Sequence, residues 1–237
     1  MASSSTVKRF APLKESLRPS SNDTPQLKGV VFDMDGTLCE PQTYMFAEMR
    51  SALGITKKTD ILEHLHSLPP GPQETAQQAI RDIESKAMLL QTPQPGLNHL
   101  MSYLDSRSIR KAICTRNFDV PVQNLLTKHL ASTHFHPIVT REFRPPKPDP
   151  AGIWHIAEQW NLRGENGKAD ATGLIMVGDS IDDMTAGRTA GAATVLLANN
   201  VNEHLVDHEH TDLVIRSLDE LIAILEGGFQ CREYEIR

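Results

Sequence analysis

The sequence predicts an α/β fold, a doubly wound and mostly parallel sheet with a small all-helical domain inserted after its first strand. Three observations carry this. Short, wholly apolar runs alternate with stretches of helical spacing, the pattern of βαβ units. Between 40 and 95 the alternation stops, and only helical spacing remains. The chain has 237 residues, 39% hydrophobic, enough for one large core plus an appendage.

The elements follow in order. Residues 1–27 hold Ser3, Ser4, Ser5, Ser16, Ser20 and Ser21 with Pro12, Pro19 and Pro25, and little apolar periodicity. Such a stretch buries too little to offset its ordering entropy, so a disordered tail is predicted there. Its Lys8, Arg9, Lys14 and Arg18 leave a second reading, an organellar transit peptide, which Pro12 and Pro19 disfavour by interrupting any amphipathic helix. The expected location is therefore cytoplasmic, with mitochondrial as the alternative. Gly29-Val30-Val31-Phe32 is apolar throughout and stops at Asp33-Met34-Asp35-Gly36-Thr37, as a buried parallel strand does. Further runs lie at 112–115, 137–140, 174–177 and 194–197, with a weaker sixth at 213–215.

Helices fill the intervals. Leu97, Leu100, Met101 and Leu104 share a face, as do Val122, Leu125, Leu126 and Leu130. Ile153, Ala157 and Trp160 follow Asp149-Pro150, an N-cap with proline at the first helical position. Leu218, Leu221, Ile222 and Leu225 end at Gly227, after which 227–237 reads as a tail. Within 40–95, three apolar faces are predicted: Met45, Phe46, Met49, Leu53; Ile61, Leu62, Leu65, Leu68; and Ala76, Ile80, Ile83, Ala87. Pro69-Pro70-Gly71-Pro72 breaks the second from the third. A helical block placed straight after the first strand reads as a lid over that strand's C-terminal end.

Composition excludes several classes. No apolar run reaches the ~18 residues of a membrane span, so no membrane is expected as partner. A net charge of -6 argues against nucleic acid. Cys39, Cys114 and Cys231 are odd in number and widely spaced, which suits neither a disulfide framework nor zinc.

In open α/β sheets ligands bind beyond the carboxyl ends of the strands. At that edge the sequence gathers Asp33 and Asp35; Thr115, Arg116 and Asn117; Lys147 before the fourth run; and Gly178-Asp179 with Asp182 and Asp183 after it. Carboxylates packed a few ångströms apart raise each other's pKa. A hard divalent cation relieves this, and magnesium favours one or two carboxylates plus water and phosphate oxygen. A lysine adds the charge that a transferring phosphoryl group needs. The Asp35-Gly36-Thr37 turn can aim backbone N–H groups at the same anion, with Gly36 permitting close approach.

This ordered set, Asp33-Met34-Asp35-Gly36-Thr37, then Thr115, then Lys147-Pro148, then Gly178-Asp179-Ser180-Ile181-Asp182-Asp183, resembles the haloacid dehalogenase (HAD) superfamily. The resemblance spans 28–225 and implies a Rossmann-like core at 28–39 and 96–226 with a C1-type cap at 40–95. It implies that Asp33 is the nucleophile that forms an aspartyl-phosphate, and that Asp35 is the general acid and then the base. Magnesium (Mg2+) would be held by Asp33, Asp179 and the carbonyl of Asp35, with Asp183 as an outer-shell group or further ligand. Thr115 would bind a phosphate oxygen, with Gly36, Arg116 and Asn117 beside it, and Lys147 would neutralise nucleophile and phosphate together. Many relatives carry asparagine directly after the threonine, whereas Arg116 intervenes here.

The function implied is a magnesium-dependent phosphatase acting on a small phosphorylated metabolite, as a monomer or homodimer. Two alternatives stand beside it. One is a phosphomutase of β-phosphoglucomutase type, and the other a non-catalytic binding module on the same fold. Several residues have plainer readings. Asp182 reads as a helix N-terminal acid, Cys39 as a packing filler before a redox switch, and His204, His208 and His210 as a solvated loop before a metal cluster. His64 and His66 lie in the lid, where contact with a substrate is the less favoured reading.

Overall fold

The computed structural model describes residues 9–18 and 24–232. Six parallel strands form one sheet: β1 (Gly29–Phe32), β2 (Arg110–Cys114), β3 (Ile138–Val139), β4 (Leu174–Gly178), β5 (Ala193–Leu197) and β6 (Leu213–Ile215). Their spatial order is β3-β2-β1-β4-β5-β6, so β1 is central. Gly29 pairs with Arg110 on one side and Leu174 on the other. All four residues of β1 and all five of β4 are buried, which is why both read as continuous apolar runs.

Helices α4 (Leu97–Ser106) and α8 (Glu220–Gly227) pack on the sheet face carrying Val30 and Phe32. Helices α6 (Ala151–Gln159) and α7 (Ile181–Ala190) pack on the face carrying Val31 and Met176. α5 (Asp119–His129) follows β2 and joins the first face through Val122 and Leu125. One predicted cap shifts by a residue: Pro150 precedes α6, and Asp149 accepts from the Ala151 N–H at 2.9 Å.

Between β1 and α4 lie α1 (Thr43–Leu53), α2 (Ile61–Ser67) and α3 (Pro70–Leu89). They surround their own apolar cluster, including Met45, Met49, Leu62, Leu65 and Ile80. The proline cluster at 69–72 starts α3, with proline in the first turn where the missing N–H costs nothing. The buried face of α3 is Ala76, Ile80, Glu84 and Ala87, so a carboxylate is buried where the sequence predicted Ile83.

The predicted tails need correction. Residues 1–8, 19–23 and 233–237 fall outside the described residues, but Phe10, Ala11 and Leu13 are buried, and so are Phe229 and Cys231. The Phe10 N–H donates to the Phe229 carbonyl at 2.9 Å, and the two rings lie 5.6 Å apart. The two segments complete each other's apolar surface, a long-range match that local periodicity does not register. Phe10→Ala is expected to cost about 3 kcal/mol, the lower end for a buried phenylalanine, measured by chemical denaturation. A loss below about 0.5 kcal/mol would show the contact to be dispensable.

Candidate active site

The site forms at the C-terminal ends of β1, β2 and β4, beneath α1–α3. Asp33 follows β1 directly, and its N–H donates to the Val177 carbonyl of β4 at 3.0 Å, fixing it beside that strand's end. The 34–39 turn then folds back, with the N–H groups of Thr37, Leu38 and Cys39 all donating to the Met34 carbonyl. That commits the Thr37 N–H, which the sequence offered to an anion. Gly36 sits at φ +81°, and a Cβ there would lie 2.0 Å from Asp179 Oδ2, so both backbone shape and space demand glycine. Its carbonyl accepts from Gln94 Nε2 at 2.8 Å.

Lys147 Nζ donates to Asp33 Oδ1 at 2.7 Å and also to Asp183 Oδ1. Asp183 owes its place to a helix cap. It is the third residue of α7, its Oδ2 accepts from the Ser180 N–H at 3.1 Å, and Ser180 Oγ accepts in return from the Asp183 N–H at 3.3 Å. Asp183 is fully buried, and Gly178 leaves the room for it, since a Cβ there would lie 2.4 Å from Asp183 Cβ. Asp179 is oriented through its carbonyl, which accepts from Asn202 Nδ2 at 2.7 Å.

Carboxylate oxygens of Asp33, Asp179 and Asp183 lie within 4.8 Å of one another. Burial, then the charges of Asp183 and Asp35, push Asp33 up to about 7 against the opposition of Lys147. Burial, then Asp33 and Asp183, push Asp179 up to about 8. Burial works against the Lys147 charge, but Asp183 and Asp33 outweigh it and hold the ammonium above the usual lysine range. Three hard oxygen donors with more negative charge than one lysine offsets are a donor set that fits a divalent cation. Both Asp183 oxygens are already engaged, which suits a supporting role around such an ion.

A pH dependence follows for the metal-free protein. Asp33 and Asp179 have folded values above their usual 3.8, so the folded state binds their protons more tightly. The stability they add is full below about pH 4 and is lost as pH rises through 7 to 8. Melting temperature is expected to fall across that window without metal, and a saturating divalent cation is expected to remove the slope. A slope unaltered by cation would contradict the metal site.

The acid at Asp35 is held from both sides. Its Oδ2 accepts from Asn117 Nδ2 at 2.8 Å, and its Oδ1 faces Cys39 Sγ at 3.7 Å. Burial raises its pKa, while the Cys39 and Asn117 hydrogen bonds oppose that. Burial, followed by the charges of Asp35 and Asp33, drives the Cys39 thiol far above its usual value, so it stays protonated. Thr115 is buried at the end of β2, and its Oγ1 accepts from the Asn117 N–H at 3.1 Å.

Arg116, expected beside the phosphate, lines the cavity and is ion-paired on its wall. Its Nη2 donates to Asp60 Oδ2 at 2.8 Å and its Nη1 to Asp182 Oδ2. Asp60 also caps α2, accepting from the Leu62 and Glu63 N–H groups at 2.8 and 2.9 Å. Arg116 therefore ties the inserted helices to the start of α7, and Asp182 is its partner as well as a helix-terminal acid. His66 meets Arg144, and His204 lines the cavity; the His208 and His210 rings meet edge to face. The sequence reading missed Arg141, Glu84 and Asn202. Arg141 lies just beyond the third run, at the same sheet edge as the rest, and Glu84 interrupts an apolar helix face.

The cavity over these groups measures about 480 Å3 and takes Met45, Met49 and Leu62 from the inserted helices as an apolar wall. The chain matches the haloacid dehalogenase-like hydrolase family over residues 27–191. It belongs to that family. It is 47% identical over 204 residues to an uncharacterized hydrolase of Saccharomyces cerevisiae, covering 84% of this chain and 90% of that one. It is 25% identical over 215 residues to a phosphoglycolate phosphatase of Mesorhizobium japonicum, covering 81% and 92%. The fold resembles that of the Rhodobacter sphaeroides protein CbbY, solved as a mutant in complex with xylulose-(1,5)bisphosphate. There the TM-score is 0.65 at 19% identity, covering 83% of this chain and 96% of that one. The haloacid dehalogenase-like chain is thus an enzyme, a hydrolase. None of its described helices is long and apolar enough to cross a membrane.

Proposed function

We propose that the protein is a magnesium-dependent phosphatase that hydrolyses a small phosphomonoester through an aspartyl-phosphate, with α1–α3 acting as a cap at 40–95 over the site. The observation that carries this is the buried Lys147 ammonium between Asp33 and Asp183, with Asp179 beside them. Magnesium held by Asp33, Asp179 and the Asp35 carbonyl would supply positive charge toward the phosphoryl oxygens.

The chain's own residues account for the rest. An Asp33 carboxylate oxygen attacks phosphorus as the ester P–O bond breaks. Asp35, whose pKa burial raises, gives a proton to the leaving oxygen. Water then attacks the phosphorus of the aspartyl-phosphate, Asp35 takes its proton, and inorganic phosphate departs with Asp33 restored. Lys147 holds Asp33 Oδ1 throughout, and Thr115 donates to a phosphate oxygen. The cap wall keeps bulk water from the acyl phosphate until the alcohol has left.

Acid quenching during turnover of an isotopically labelled phosphate ester is expected to trap label on the protein, released by hydroxylamine as an acyl phosphate is, and mapped to Asp33. Steady release of phosphate without hydroxylamine-sensitive label would defeat the covalent route. Product isomerisation in place of phosphate release would make the enzyme a mutase.

A further inference from the structure

The loop after β2 carries Thr115, Arg116 and Asn117. Thr115 and Asn117 are buried. Asn117 Nδ2 donates to Asp35 Oδ2 at 2.8 Å, so this amide sets the orientation of the general acid. Arg116, between them, turns its charge elsewhere. It bridges Asp60, the N-cap of α2, and Asp182 in the first turn of α7. The steps above do not use that bridge.

The rest of the loop shows what the bridge controls. Apart from Asp35, the Asn117 side chain and N–H bond only within the loop and its next residue. Oδ1 accepts from the Phe118 N–H at 3.0 Å, and the Asn117 N–H donates to Thr115 Oγ1 at 3.1 Å. The amide therefore stands where the loop stands. The loop is held in turn from the inserted helices. Arg116 reaches Asp60 on α2 with its side chain. Arg141 donates its Nε to the Arg116 carbonyl and its N–H to the Asn117 carbonyl, each at 2.8 Å, and its Nη2 to Glu84 on α3. Two arginines of the sheet domain thus fix the peptide units on either side of the amide, and both end on acids of the inserted helices.

Placement of this kind governs rate, since a shift of about 1 Å at a reacting group can cost about 10²-fold. We propose that Arg116 is a positioning residue: paired with Asp60 and Asp182, it sets the Asn117 amide and, through it, the proton-donating carboxyl of Asp35. The proposal rests on the phosphatase reading. It gives the inserted helices a share in proton transfer, running from Asp60 through Arg116 and Asn117 to Asp35. Arg116 also lines the cavity, so direct contact with the phosphate is the rival. The two differ in kind. A phosphate contact serves every ester alike, whereas a residue acting through the acid serves only leaving groups that need a proton.

The test uses full-length protein with magnesium and two esters of similar shape. Nitrophenyl phosphate releases a stable anion; benzyl phosphate releases an alkoxide that needs the proton. Phosphate release is compared as kcat/KM, which reports the first phosphoryl transfer and not the later step in which Asp35 is the base. Arg116→Ala is expected to lower kcat/KM for benzyl phosphate by about 10- to 100-fold and for nitrophenyl phosphate by no more than about threefold. Asn117→Ala is expected to show the same bias, and Arg116→Ala added to it to cost less than about threefold more, because the two act in one chain. The bridging side chains are between 29% and 38% exposed, a setting in which ion pairs add little stability, so the Arg116→Ala protein is expected to melt close to the parent. Equal losses on the two esters overturn the proposal in favour of a phosphate contact. A full, independent loss in the Asn117→Ala background overturns it too. If Arg116→Ala does not fold, Asp60→Asn, which keeps an oxygen to cap α2 and loses the charge, decides by the same ratio. A parent that hydrolyses nitrophenyl phosphate but not benzyl phosphate has no working acid to position, which also overturns the proposal. Release from neither ester overturns the phosphatase reading itself, which separates the two failures.

Discussion

Asp33→Asn is expected to lower kcat for any phosphomonoester by roughly 10³-fold or more, as removal of a covalent nucleophile does. The protein should stay folded. Asparagine keeps an oxygen for Lys147 Nζ, and Lys147 retains Asp183 as its counter-charge. The substitution also takes one charge out of a cluster in which burial and its neighbours already push Asp33 up to about 7. The metal-free variant should therefore melt no lower than the parent at pH 8, and its affinity for divalent cations should fall. The decisive measurement pairs single-turnover kinetics with thermal scans. Turnover within tenfold of the parent would remove Asp33 from the nucleophile role. Inactivity together with unfolding would leave the Asp33→Glu variant, which keeps the charge but displaces the attacking oxygen, to decide by the same kinetics.

Lys147→Ala is the second large effect, and it strikes stability as well as rate. The ammonium is buried between two carboxylates that are themselves buried. Removing it leaves their charges without compensation, a loss of about 3–5 kcal/mol near neutral pH. The sign with pH is fixed. Without the cation Asp33 has a folded value further above its usual 3.8, so stability is retained in acid and lost as pH rises through neutrality. Denaturant titrations at about pH 5 and pH 8 should show a much larger deficit at the higher pH, and magnesium should recover part of it. A deficit under about 1 kcal/mol, or one independent of pH, would mean that the lysine does not serve as the counter-ion.

The legible parts of the molecule were those written in short stretches of sequence. Buried parallel strands carry their burial in every residue, so Gly29–Phe32 and Leu174–Gly178 announce themselves. The residues gathered at their ends, Asp33, Lys147, Asp179 and Asp183, are chemically too odd for a strand edge to be incidental. The illegible parts depend on partners far away in the chain. Phe10 is apolar in a polar stretch, and only Phe229 explains it. Glu84 is one charge among many until Arg141 lies against it, and Arg116 meets Asp60 across 56 positions of sequence. Periodicity reports which face of an element is apolar; it does not report which ionic groups meet across two domains.

The central position of β1 bears on biosynthesis. Ribosomes deliver this strand ahead of every other in the sheet, yet Leu174, its companion along one edge, emerges only after all of α1–α6. Throughout that interval a fully apolar strand exposes an unsatisfied edge, a condition that invites chaperone capture or aggregation. The acid cluster assembles late for the same reason: no polypeptide ending before β4 can bring Asp33, Asp179 and Asp183 together.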